Sequence, residues 1–484
     1  MRRAIAGLLV VCLGATATGQ TADEERFDRR MEQFRRETRF PSAQSAPVGQ
    51  QMLFQYGAYA EFDYFSLDDR NHDNHGGREY SLTGYARADL WDAHEFFVRA
   101  RADYRTFNDG DSFNGKGNQW VQPALERAYY RFDLRSQVSH SQGKLLDWDV
   151  SFKGGRDLSY WANGLVVSEV LDGGVIDLSY HKLSLEAIGG ITPGHTVDFD
   201  TSRPHFDDNT RRGIFGGMLS MQVGEHHPFV YGVVERDYND DVARLHAAGP
   251  AGSSLVSTRF DYNADYLGAG STGALTDRLS YGLEVVYEGG TNLSNSFISS
   301  GGALSPVPQT TDNIRAYAGD LRLDFTPGDV NRSRFSGEVL LSSGDSDRLV
   351  TNATLGGNRP HTPDLAFNTV GLIDTGVAFN PVPSNLTMFR VGASTFPLPQ
   401  TDFLRRFQIG SDLFVYLKTD VKAPIEEPTL ARRYLGLEPD FYVNWRITSD
   451  VTFLARYGVF FPGDSIRSSH AVRQFLFMGV NVAL

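Results

Sequence analysis

The sequence predicts an all-β protein: a transmembrane antiparallel up-and-down β-barrel of about 18 strands, preceded by a short charged N-terminal helix. Three observations carry that expectation. First, apolar and polar residues alternate with period two. Between Tyr80 and Leu90, Tyr80, Leu82, Gly84, Ala86, Ala88 and Leu90 take one face, and Ser81, Thr83, Tyr85, Arg87 and Asp89 the other. Second, such runs are long. Strands of soluble proteins usually have about 5–6 residues, whereas a tilted strand crossing a bilayer needs roughly 9–11. Third, the alternation continues to the last residue, with Leu476, Met478, Val480, Val482 and Leu484 set against Phe477, Gly479, Asn481 and Ala483. A barrel closes by pairing its terminal strands, which removes the open edges that hydrocarbon does not tolerate. A large soluble β-sandwich with one wet face is the competing architecture, and the run lengths speak against it.

Taken in order, the chain begins with the basic Met1-Arg2-Arg3, the apolar stretch 4–13 and the small residues 15–19. This reads as a secretory signal peptide over 1–19, cleaved before Gln20. Cys12 is the only cysteine, so a cleaved chain has neither a disulfide nor a cysteine metal site. Its charge is near −15, the full chain's −13 less the two arginines at positions 2 and 3. That balance speaks against nucleic acid as a partner.

Residues 20–50 read as a charged periplasmic leader and linker. Phe27, Met31 and Phe34 fall at i, i+4 and i+7, a narrow helical stripe, and Pro41 ends the pattern. Three apolar residues bury little, so the expectation for the 21–40 helix is a solvated leader. A periplasmic plug, or a docking helix for a periplasmic partner, is the alternative.

The barrel is expected over 51–484. Its first strand, 51–64, places Met52, Phe54, Tyr56, Ala58, Ala60, Phe62 and Tyr64 outward, and the polar stretch 65–78 follows as an outer loop. Asp92-Ala93 reads as a periplasmic turn, since outer-membrane barrels pair short periplasmic turns with long outer loops. A later strand is read with Phe260, Tyr262, Ala264 and Tyr266 outward and Arg259, Asp261, Asn263 and Asp265 inward. Another sets Tyr317, Gly319, Leu321, Leu323 and Phe325 outward against Asp320, Arg322 and Asp324. The Gly/Pro/Asn-rich region 344–385 reads as a long loop with one doubtful strand near 367–380. Omitting that strand leaves 18, an even number as bacterial single-chain barrels require. The expected setting is the outer membrane of a diderm bacterium, with membrane lipid and the barrel-assembly machinery as partners.

By parity, Arg87, Arg99, Arg101, Arg105, Arg127 and Arg131 face the lumen, countered by Asp89, Asp103 and Asp133. Guanidinium stays charged and offers forked donors to carboxylates, so an arginine-lined lumen favours anions. The competing reading is a ladder of charged pairs that braces the wall. No histidine–serine pair or metal-ligand spacing stands out, so neither an enzyme nor a cofactor is expected.

Short motifs near the carboxyl end add a family resemblance. Gly436, Glu438 and Asp440 in one strand, followed by Tyr457 and then Phe460-Phe461-Pro462-Gly463-Asp464, resemble the terminal pattern of the alginate-export family of outer-membrane barrels. Ser343-Gly344-Asp345, Asp172-Gly173 and Gly155-Arg156 resemble shorter motifs of that family. The resemblance implies a passive outer-membrane channel of 18 strands that passes anionic sugars or polyuronates, or other small anions, through an arginine-rich constriction. Of the arginines, Arg156 alone sits on a matched motif. A structural or adhesive barrel with a plugged lumen and acidic surface loops is the reading from a different class.

Overall fold

The computed structural model describes residues 23–24, 26–34, 52–113, 115, 118–206, 210–249, 252–300, 303–348, 353–355 and 357–484. The expected signal peptide and most of the linker lie outside the described residues. The first described element is the helix α1, residues 26–34.

The wall begins with β1 (Met52–Asp68), β2 (Asn74–Leu90), β3 (His94–Phe107) and β4 (Asn118–Asp133). After the short helix α2 (Leu134–Gln142) come β5 (Trp148–Tyr160), β6 (Val167–Tyr180), β7 (Leu183–Ile191), β8 (Arg212–Met221) and β9 (His226–Asp237). An outer hairpin of β10 (Val242–Gly249) and β11 (Gly252–Arg259) precedes β12 (Tyr262–Thr276) and β13 (Leu279–Leu293). A second hairpin, β14 (Phe297–Ser300) with β15 (Ala303–Pro306), precedes β16 (Thr311–Phe325) and β17 (Arg334–Ser342). The two-residue β18 (Val370–Gly371) lies off the wall, which continues as β19 (Leu386–Thr395) and β20 (Phe407–Lys418). The wall ends with β21 (Tyr434–Arg446), β22 (Val451–Pro462) and β23 (Arg473–Ala483).

Setting aside the two hairpins and β18, each strand pairs antiparallel with the next, and β23 returns to β1 from Tyr59↔Ala483 to Leu67↔Phe475. The result is a closed 18-strand barrel, and every wall strand finds its ladder partners within the wall. Short connections such as 91–93, 181–182 and 277–278 cluster at one end. Long ones, including 192–211, 238–261, 343–385 and 419–433, cluster at the other, which is the outer face.

The outer surface is an apolar belt. Leu82 is 54%, Val98 42% and Val285 50% exposed, values that only lipid makes reasonable for a run of aliphatic side chains. Trp91, Trp148 and Tyr180 stand exposed near the short-turn end, and Trp120 and Tyr238 near the outer end, as interfacial girdles. With the closed wall, this belt makes the chain an outer-membrane barrel protein of a diderm bacterium.

Two expectations change here. On β12, Tyr262, Ala264 and Tyr266 are buried against the lumen and Leu267 is 67% exposed, so the face assigned outward points inward. Tyrosine suits either face, because its ring packs while its hydroxyl finds an acceptor. Here the Tyr262 hydroxyl donates to Glu288 and the Tyr266 hydroxyl to the Asn368 carbonyl. The second change concerns α1, which is not a solvated leader. Phe27, Met31 and Phe34 are buried inside the barrel, with Phe27 4.5 Å from Phe65 and Phe34 4.8 Å from Phe477, ring centre to ring centre. Such burial contributes about 1.5–3 kcal/mol per side chain. The helix lies near the outer ends of β1 and β23, and its polar side is held by ions. Arg26 and Arg29 reach Glu426 at 3.1 and 2.8 Å, and Arg105 reaches Asp28 at 3.0 Å.

Burial alone would raise the Glu426 carboxyl, but Arg29 and Arg26 outweigh it and hold it at about 2 against an ordinary 4.5. A depressed carboxylate stabilises the folded state fully above its ordinary value and loses that contribution as pH falls through the folded value. Protection of the 26–34 amides, corrected for intrinsic exchange rates, is therefore expected to be flat from pH 8 to 5 and to fall below about pH 4. For the belt, Val285→Arg is expected to cost about 2–4 kcal/mol in urea unfolding from phospholipid vesicles if Val285 lies near the bilayer midplane.

A candidate pore constriction

The long connection between β17 and β19 does not project outward. It folds into the barrel, and carboxylates on the wall hold it there. Glu438 on β21, fully buried, accepts from the amides of Val377, Ala378 and Phe379 at 2.7, 2.6 and 2.8 Å. Asp440 adds a bond from the Val377 amide at 3.1 Å. On β13, Glu288 accepts from the Asn368 amide at 2.9 Å, and the Asn368 side chain donates to the Tyr262 hydroxyl at 2.7 Å. The doubtful strand near 367–380 is this inserted loop. Over 367–380 it pairs in parallel with β6 through Val370↔Val167 and Gly371↔Ser168, with the Thr369 hydroxyl donating to the Leu165 carbonyl at 2.6 Å. Gly371 is required at that crossing: its φ is +108°, and a Cβ would lie 2.2 Å from the Ser168 carbonyl oxygen.

A second, shorter insertion joins β5 to β6. Glu284 on β13 accepts from the Asn163 amide at 2.9 Å, and the Trp161 indole donates to Glu186 at 2.7 Å. Glu284 and Glu288 sit four residues apart on one strand, so both face the lumen. Each anchors a different insertion.

Beneath the inserted elements lies a cavity of about 480 Å³ that opens toward the short-turn half of the barrel. Gln33 of α1, Tyr160, Arg322, Glu338, Asp374 and Arg390 line it. Arg390 pairs with Asp374 at 2.8 Å, Asp412 at 2.9 Å and Glu338 at 3.4 Å, and its guanidinium stands 5.2 Å from the centre of the Phe414 ring. Arg322 pairs with Asp320 at 2.9 Å and Glu338 at 3.0 Å. Two arginines thus stand among four carboxylates. Asp374, on the inserted loop, would be raised by burial but is held below its ordinary value by Arg390.

The arginines singled out from the sequence line a different stretch of wall. Arg87, Arg99, Arg101, Arg105, Arg127 and Arg131 lie on the faces opposite the exposed Leu82, Val98 and Leu125, hence toward the lumen. Each is in an ion pair. Arg87 meets Asp89 and Glu95, Arg99 and Arg101 share Glu126, Arg105 meets Glu79, Arg127 meets Asp157 and Arg131 meets Asp133. Arg156 departs from the expected set. It stands opposite Ala128, on the same outer face as Val98, and is bound to Asp172 at 2.6 Å. Gly155 before it has φ +132°, a kink in β5, and the residue count alone did not show which face Arg156 would take.

The terminal motif residues divide by role. Glu438 and Asp440 hold the inserted loop, and Gly436, with φ +152°, packs its backbone against Phe460 and Phe461. The Gly463 amide donates to the Leu435 carbonyl at 2.7 Å, and Asp464 meets Arg432 at 2.9 Å. Pro462 ends β22 opposite Gly436. The sequence reading missed Glu284, Glu288 and Arg390. The available signal was a lone glutamate at mid-strand on lumen parity, with no neighbouring cation in its own strand.

Replacing Glu438 with alanine leaves the Ala378 and Phe379 amides without their acceptor and the Val377 amide with only the longer bond to Asp440, on the order of 1–3 kcal/mol for each buried group left unsatisfied. Hydrogen exchange at Val377, Ala378 and Phe379 is expected to accelerate roughly tenfold or more in E438A. Unchanged exchange would show that the loop is held elsewhere.

No family model matches the chain, and no curated protein matches it either. The alginate-export resemblance therefore stands on its short motifs alone. Among solved structures the chain is similar to OccAB3 of Acinetobacter baumannii, at 10% identity over 89% of this chain and 99% of that one, with a TM-score of 0.51. OccK8 (OprE) of Pseudomonas aeruginosa, at 9% identity over 89% and 98%, gives 0.48. Likeness at that level of identity is a statement about fold, and the fold it supports is the outer-membrane β-barrel.

Proposed function

We propose that the protein is a passive outer-membrane channel for small polar solutes, with anionic solutes engaged locally at Arg322 and Arg390. The observation that carries this reading is the cavity, where both arginines share the Glu338 carboxylate beneath a narrowed lumen. A solute carboxylate can take the place of Glu338 on one guanidinium while Glu338 keeps the other, so no buried charge is left alone and the exchange stays shallow and reversible. The alginate-export form of the reading is the same carboxylate chemistry on a polymer. With α1 and two insertions occupying the lumen, the geometry favours the small-anion form.

Pairing also limits selectivity by net charge. An arginine beside a carboxylate presents a dipole to a passing ion rather than a full charge. In planar bilayers under a salt gradient, the mature protein is expected to conduct with a reversal potential near zero. Arg390→Ala leaves Glu338, Asp374 and Asp412 without that cation and is expected to move the potential toward cation selectivity. A strongly anion-selective wild type would overturn the paired-charge account and restore the open arginine path.

A second reading is a structural or adhesive barrel with a plugged lumen, and the burial of α1 favours it. Absence of current from the folded wild type and from folded variants that unseat α1 would support that reading.

A further inference from the structure

We infer that α1 is an autoinhibitory plug, a lumenal helix that narrows the channel while seated and widens it when it leaves as a unit. This rests on the channel reading. The seat is visible in the wall itself. Along β2 to β4 the lumen face is an ionic ladder, but beneath α1 the wall is aromatic: Phe65, Phe475 and Phe477, joined by Phe113 from an outer loop, are all buried. An apolar patch on a wet wall persists at low cost only while something covers it. Phe27 and Phe34 supply that cover, with Phe27 5.8 Å from Phe113 and Phe34 5.8 Å from Phe475.

The attachment differs in kind from that of the inserted loops. Loop amides run straight into wall carboxylates, and β18 adds a backbone ladder, so those insertions are part of the frame. Among the described residues, the contacts that seat α1 and the nearby Asp23 are made by side chains. Arg26 and Arg29 meet Glu426, Arg30 donates to the Ala378 carbonyl at 2.9 Å, and Asp23 meets Arg70 at 3.1 Å. A helix carries its own backbone hydrogen bonds, so it can leave this seat intact without opening the barrel ladder. At its inner end Gln33 lines the cavity and hydrogen-bonds Asp374, the partner of Arg390. Departure of α1 therefore enlarges the cavity described above and removes a ligand from its charged wall. Glu426, held deprotonated by Arg29 and Arg26, keeps the seat closed at neutral pH, and competition for those arginines is what would open it.

Single-channel recordings in planar bilayers test this on the mature full chain. Glu426→Lys sets a cation against Arg26 and Arg29, and Met31→Ala combined with Phe34→Ala weakens the apolar seat independently, should the first variant fail to fold. Heat-shifted gel mobility reports a folded barrel in each. Either variant is expected to raise conductance several-fold over wild type. In the Glu426→Lys background, a Phe34→Cys/Phe477→Cys pair, joined by a short cross-linker, is expected to return conductance to the wild-type level. The expected signal peptide holds the only native cysteine, Cys12. Equal conductance of folded wild type and both unseating variants overturns the plug while leaving the channel reading in place. No current from any folded variant overturns both.

Discussion

Every backbone amide pushed into the barrel needs an acceptor, and that requirement organises the lumen. A buried N–H left without a partner costs more than a typical hydrogen bond gains. The wall meets it with a few mid-strand carboxylates: Glu438 and Asp440 for residues 377–379, Glu288 for Asn368 and Glu284 for Asn163. Because these groups stand on strands already locked into a closed ladder, they fix the height and direction of each insertion. The cavity, and the side chains facing it, take their positions from those few bonds. The carboxyl-terminal strand motif gains a physical meaning here, since two of its acids are loop anchors rather than solute contacts.

The same economy governs the charges. In a low-dielectric wall an isolated arginine is expensive, and pairing it with a carboxylate removes most of that cost. The expected arginine path is consequently a set of pairs, with Glu126 serving both Arg99 and Arg101. In the cavity the arrangement is tighter, with Glu338 shared between Arg322 and Arg390. Shared partners leave a guanidinium edge available for exchange without a bare charge, which suits transient contact with a passing solute better than firm capture.

Much of the barrel was legible from residue order. Alternation and strand length marked the wall, and omitting the doubtful 367–380 strand left the count that the structure shows. Parity worked wherever one face was aliphatic, as with Leu321 and Leu323 opposite Asp320 and Arg322. It failed on β12, where tyrosines on one face and Asp and Asn on the other suit either orientation at the outer end. Arg156, placed in the lumen by its motif rather than by parity, stands on the outer face past the kink at Gly155.

Local pattern therefore determined the things that depend on near neighbours: a period of two, strand length, and the aromatic and aliphatic belt. Tertiary structure decided the contents of the lumen, because those contacts join residues hundreds of positions apart. Arg29 finds Glu426, and Asn163 finds Glu284, across gaps of 397 and 121 residues. The stripe of Phe27, Met31 and Phe34 announced a helix with one apolar face. Only closure of β23 onto β1 created the aromatic wall that the stripe covers, by bringing Phe65 beside Phe477. A sequence carries the two halves of such a contact, and the folded barrel is what sets them face to face.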